Sequence, residues 1–136
     1  MCIRDRLATD SLVRQDLADL YAFRKAAEWT AARARAARAL GRKPGPEGSI
    51  GKLAASEIAR RSARIHAKVA KSQAMLAGED PYGDEIIAEV LISTPAVSIA
   101  GGTDNIQRNI LGESMLGLPR EPGPGRDTPF RDIPRN

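Results

Sequence analysis

Two stretches of about thirty residues carry apolar side chains at three- and four-residue steps, and one short segment, GRKPGPEGS, separates them. That single feature excludes most folds. A step of three or four puts apolar groups on one stripe of a helix, whereas a half-buried strand needs alternation. In the first stretch the stripe is Val13, Leu17, Leu20, Ala27, Ala31 and Ala34, interrupted by Arg24. Asp10 or Ser11 stands where a side-chain oxygen caps the first turn, and Gly41, followed by Pro44, stops the helix. The helix predicted from Ser11 to Leu40 would be about 45 Å long at 1.5 Å per residue. The second is predicted from Ser49 to about Ala77, with Ile50, Ala54, Ile58, Ile65, Val69 and Leu76 on its buried face and Gly78 closing it. A link this short requires the two helices to pack antiparallel.

Beyond them, GEDPYGD reads as a loop and EIIAEVLIS as a third, short helix. Proline pushes the residue before it out of the α region, so this helix is expected to end before Pro95. TPAVSIAGG then reads as an extended connector, and Thr103 opens a fourth helix to about Met115. Residues 119–136 carry five of the nine prolines and four arginines, too little apolar surface to order a segment, and are expected to form a disordered tail. The fold class is therefore all-α: an up-down bundle of two long antiparallel helices and two shorter ones, spanning residues 7–118.

Composition narrows the function classes. A net charge of +4 is compatible with nucleic acid or an anionic cofactor. Arg33, Arg35, Arg38, Arg42 and Lys43 cluster, but their offsets spread them around the helix and no aromatic residue interleaves with them, so a solvated flank is the better reading. A basic nucleic-acid-binding or scaffold helix remains the alternative class. Cys2 is the only cysteine and His66 the only histidine, which leaves no metal-ligand set. No run reaches the roughly 18 apolar residues of a membrane span. No apolar signal region follows the N-terminus, and a cytoplasmic location is expected. The first six residues, MCIRDR, resemble a spurious leader read from adapter sequence flanking a truncated environmental gene. The expectation is that residues 1–6 are non-native and that the true N-terminus lies upstream.

The segment GGTDNIQRNIL carries the chemistry. Two glycines allow close approach to the backbone, and a Thr cap leads directly into a helix whose N-terminus presents unpaired N–H groups. On residues alone, this is an ordinary Gly-Gly-Thr helix start. In its longer context, GGTDNIQRNILGESMLGLPREP resembles the C-terminal signature of the acyl-CoA dehydrogenase family. LVRQDLADLYAF and GPEGSIGKLAASEIARR are similar to the helical domain preceding it, so the resemblance runs from about Leu12 to Pro122. It implies FAD as cofactor, contacted by Thr103, Asp104 and Asn105, and an acyl-CoA flanked by Gly101 and Gly102. It also implies oxidation to the 2,3-enoyl-CoA, an electron-transfer acceptor, and a homo- or hetero-oligomer, a dimer of dimers in the whole protein, with neither nucleic acid nor membrane as partner.

Two departures stand out. In one branch of that family the catalytic base is a Glu at the position of Gly101, so this segment brings no base there. Other members place their Glu on an earlier helix, and some pair a catalytic subunit with one lacking the base. Glu89 and Glu113 are the nearest acids in sequence, and neither is expected to substitute. A Q-x-x-G-G-x-G segment that holds a neighbouring subunit's FAD in the family is also missing: Gln73 is followed by AGEDPYG. The isolated chain is expected to be inactive. Tyr21 and Trp29 are expected to pack, His66 to lie at a surface or an interface, and Gln107, Arg108 and Asn109 to make structural hydrogen bonds or subunit contacts.

Overall fold

The computed structural model describes residues 7–75, 84–120, 123 and 128–133. Among them are four α-helices and no strand: α1 (Ser11–Ala39), α2 (Glu47–Ala70), α3 (Asp84–Val97) and α4 (Asp104–Met115). The expected all-α bundle is what forms.

Local chemistry sets the first boundaries. Asp10 is the N-cap of α1, its carboxylate accepting from the N–H groups of Leu12 at 2.9 Å and Val13 at 3.0 Å. Gly41, at φ +76°, ends the helix in the left-handed region that glycine enters without strain. The chain then reverses, and α1 packs antiparallel on α2. Asp16, early in α1, meets Lys68, late in α2, at 2.6 Å. The Arg61 guanidinium lies over the Phe23 ring at 4.6 Å, a further tie of about 0.5–1 kcal/mol between the two helices.

Helix α2 is the spine of the molecule: α1, α3 and α4 each make their principal contacts with it. The buried side chains are small. They comprise Val13, Ala34, Ala63, Ile65, Ala70, Ala74 and Ala88, together with the polar Ser49, Ser56, Thr94 and Asp104. Small residues let helix axes approach closely, but they bury little apolar area each.

Several expected features are corrected. Only Val13 and Ala34 of the predicted α1 stripe are buried, Leu20 and Ala27 are half-buried, and Leu17 and Ala31 are exposed. Two packed helices cover one flank of a stripe that wide; the other flank faces outward. Tyr21 and Trp29 are not buried among the described residues, being 64% and 70% exposed. Helix α2 ends at Ala70, earlier than predicted, because Lys71 takes φ +56° and a 3-10 turn, Lys71–Met75, follows. The expected positions of Leu76, Gly78 and most of GEDPYGD lie outside the described residues, as do residues 1–6.

Pro95 does not precede the end of α3 but sits inside its last turn. A proline there removes one N–H, and the helix winds down within two residues. The Ser98 N–H reaches the Pro95 carbonyl at 3.0 Å and the Ala100 N–H the Ala96 carbonyl at 2.9 Å. TPAVSIAGG is thus helix followed by tight turn rather than an extended connector. In the segment expected to be a tail, Phe130–Asp132 forms one 3-10 turn. Among the described residues no helix is long and apolar enough to cross a membrane.

Candidate functional site

The turn from Ser98 to Thr103 joins α3 to α4, and its geometry explains its glycines. Gly101 lies at φ +66° and Gly102 at φ +90°, both in a region that L side chains rarely adopt. The two positions differ in their surroundings. A Cβ on Gly101 would meet nothing within 4 Å, whereas one on Gly102 would lie 2.8 Å from Nε2 of Gln107. That amide nitrogen donates to the Gly101 carbonyl at 3.1 Å, holding the first helical turn against the loop before it. Gln107 therefore has the structural role expected of it. Arg108 likewise donates to the Asn105 side chain at 3.0 Å.

Thr103 is the N-cap of α4. Its hydroxyl oxygen accepts from the Ile106 N–H at 3.2 Å, and its carbonyl from the Gln107 N–H at 3.0 Å. The Asp104 N–H donates to the Ser98 carbonyl at 3.0 Å, closing the turn into a loop. The Asn105 N–H, by contrast, has no acceptor among the described residues. Gly101, Gly102, Thr103 and Asn105 are all exposed. The turn thus offers an accessible backbone face with one free donor at the positive end of a helix dipole, suited to an acceptor oxygen or an anionic group.

Asp104 points the other way. It is buried against α2, where Lys52, Ser56 and Arg60 stand four residues apart on one side of the helix. Its Oδ1 accepts from Lys52 Nζ at 2.7 Å and from Ser56 Oγ at 2.8 Å, and its Oδ2 accepts from Arg60 Nη1 at 2.9 Å. Arg60 Nη1 also donates to Ser98 Oγ at 2.6 Å, so one guanidinium nitrogen touches both ends of the loop. The hydrogen bonds from Lys52 and then Arg60 hold the Asp104 carboxyl well below the usual carboxylate range. Glu57 is also held low, first by Arg61 and then by Arg60, against the opposing effect of burial. A carboxylate this enclosed is tolerated because two cations and a hydroxyl satisfy it.

The row Lys52, Ser56, Arg60 is the part of the site that sequence reasoning missed. Its signal was present, a polar line at four-residue steps on the side of the second helix opposite Ile58, but nothing in the sequence names its partner. Of the remaining acids, Glu113 pairs with Arg120 at 3.2 Å and Glu89 is exposed on α3. His66 is exposed, as expected, and its Nδ1 lies 2.8 Å from the Ser62 carbonyl. No group of ligating side chains suited to a metal occurs among the described residues.

Residues 4–116 match the family model described as acyl-CoA dehydrogenase, C-terminal domain. The chain belongs to the acyl-CoA dehydrogenase family. Its fold is similar to that of a chain in the crystal structure of the ChsE4-ChsE5 complex from Mycobacterium tuberculosis, with a TM-score of 0.70 and 24% identity. The match covers 85% of this chain and 30% of that one, so the chain spans less than a third of the length of the chain it resembles. Comparison with curated protein sequences finds no match.

Proposed function

We propose that this chain provides the helical wall of a flavin-dependent acyl-CoA dehydrogenase site, in an enzyme oxidising an acyl-CoA to its 2,3-enoyl-CoA. The observation that carries this reading is the turn before α4: two exposed glycines at positive φ, a capped helix start and a free Asn105 N–H. FAD, when bound, supplies the hydride acceptor. Thr103 and Asn105 are the residues whose exposed polar atoms fit such a group. Gly101 and Gly102 leave room for a thioester beside it. Asp104, implied by resemblance to touch the cofactor, is fully occupied by α2 and instead holds the turn.

No proton leaves the substrate to this turn. Gly101 has no side chain, Asp104 is enclosed, and Glu113 is paired with Arg120. The base is therefore assigned outside this turn. The exposed apolar residues of α1, Trp29 and Tyr21 among them, support an oligomeric or multidomain setting in which that flank is covered. A cytoplasmic enzyme passing electrons to an electron-transfer acceptor completes the proposal.

A second reading is a non-catalytic subunit of a heteromeric dehydrogenase. Gly101 favours it, because the turn carries no base, and the fold relative is itself described in a two-protein complex. One experiment tests both. The coding sequence around this chain is read for a flavin-binding β-domain and a carboxylate that would face the turn. The protein it encodes is then purified and its flavin spectrum followed on adding acyl-CoA. Bleaching supports the first reading, and bound flavin without bleaching until a second subunit is added supports the other. A protein without flavin refutes both.

A further inference from the structure

The loop from Ser98 to Asp104 is closed at its base by one main-chain hydrogen bond, Asp104 N–H to Ser98 carbonyl. Loop closure alone fixes shape, not placement, since such a loop could still rock on α2 as a unit. What ties it to α2 is the side-chain layer beneath. Lys52 acts on Oδ1 of Asp104 and so reaches only the α4 end of the loop, while the single Ser56 hydroxyl proton lies between Oδ1 of Asp104 at 2.8 Å and the Val97 carbonyl at 3.3 Å and can serve one of them at a time. Arg60 reaches both ends, Ser98 at 2.6 Å and Asp104 at 2.9 Å. Its Nε and Nη2 are meanwhile held by Glu57 Oε2, at 3.2 Å and 3.0 Å, one turn back on the same helix. A planar guanidinium fixed along one edge by its own helix presents the remaining nitrogen in a set direction.

We propose that Arg60 is a positioning residue for the Gly101–Thr103 turn, anchored by Glu57 and joining Ser98 to Asp104 through donors of its own, so that it makes the principal tie that places the turn on α2. Its consequence for chemistry rests on the functional reading above: the free Asn105 N–H and the backbone of the two glycines are aimed where that side chain puts them. A displacement of about 1 Å at such a point is enough to cost a catalytic site about a hundredfold. Lysine cannot substitute fully, because a single ammonium lacks the second edge that Glu57 holds.

The test follows amide exchange by NMR in the full chain, comparing wild type with Arg60→Gln, Arg60→Lys, Ser98→Ala and Glu57→Gln. The amide of Asp104 reports closure of the loop. Amides in the middle of α1 and α2 report global stability. The expected result is Asp104 exchange at least tenfold faster in Arg60→Gln, with the α1 amides within twofold of wild type. Arg60→Lys should recover part of the protection. Ser98→Ala, which removes one arm, and Glu57→Gln, which loosens the anchor, should each give a smaller acceleration. Unchanged Asp104 exchange in Arg60→Gln would overturn the proposal. So would acceleration spread evenly over all four helices, which is the signature of a merely structural role. Flavin content of the wild-type holoenzyme reports on the functional reading separately: its absence defeats that reading and leaves the role of Arg60 in placing the turn intact.

Discussion

Gly102→Ala is a demanding check on the geometry of the turn, because two independent costs and one gain meet there. An alanine at φ +90° sits in a region disfavoured by about 1–2 kcal/mol. Its Cβ would stand 2.8 Å from Gln107 Nε2, a separation that such atoms essentially never adopt, so the Gln107 side chain must swing away. The swing forfeits the 3.1 Å hydrogen bond to the Gly101 carbonyl, which for an exposed pair is worth about 0.5–1 kcal/mol. Against this, alanine reduces the freedom of the unfolded chain, a gain of about 0.4–1 kcal/mol. The net expectation is a loss of about 1–2 kcal/mol. Gly101→Ala shares the strain and the gain but meets no atom within 4 Å, so its net loss should be only about 0.5–1 kcal/mol. Urea unfolding followed by far-UV circular dichroism measures both, provided the slope of the transition is unchanged. The decisive comparison is in a Gln107→Ala background, where Gly102→Ala should cost no more than Gly101→Ala. If the two alanines cost the same in the wild type, or if removing Gln107 leaves their difference untouched, the contact between Gly102 and Gln107 does not have the role given to it.

Ser56→Ala removes a donor to Asp104 at a position that is fully buried, and should destabilise the chain by about 1–3 kcal/mol in the same assay. Because the pKa values of Asp104 and Glu57 are depressed by folding, their contribution is present above the ordinary values of 3.8 and 4.5 and is lost as the pH falls through and below them. Thermal midpoints should therefore hold nearly constant from neutral pH down to about pH 5 and fall below about pH 4, with a shallower fall in Asp104→Asn. Trp29→Ala should change the stability of the isolated chain by no more than about 0.5 kcal/mol, and the fluorescence of Trp29 should be that of a water-exposed indole. A blue-shifted emission in the isolated chain would contradict the exposure assigned to it.

What could be read in the sequence was what neighbouring residues decide among themselves. Asp10 and Thr103 announce helix starts because a cap bonds to N–H groups two and three residues on, and Gly41 announces a stop because its conformation is a property of one residue. Pro95 misleads for the same reason. The local rule against helix before proline is sound, but a helix in its last turn forgoes little by losing one N–H, and two more residues wind on. Lys71 was invisible, since nothing about a lysine advertises positive φ. The clamp on Asp104 was invisible for a different reason: Ser56 and Asp104 are 48 residues apart, and only the packing of α4 on α2 brings them together. The stripe on α1 was legible as apolar, but how much of it this chain would cover depended on helices the pattern cannot supply. The same limit holds at the turn itself, where the resemblance proposes Asp104 as a cofactor contact and packing directs it inward.

The placement of α2 at the centre has a further consequence. Helix α1 and the turn before α4 each make their principal contacts with the same helix, α2, on different parts of its surface. Substitutions along the exposed flank of α1 therefore alter what the molecule adheres to without reaching the loop that Arg60 and Asp104 anchor. A lineage could exchange one neighbour for another on that flank while leaving the geometry at Gly101 untouched, so assembly and chemistry are free to evolve at different rates.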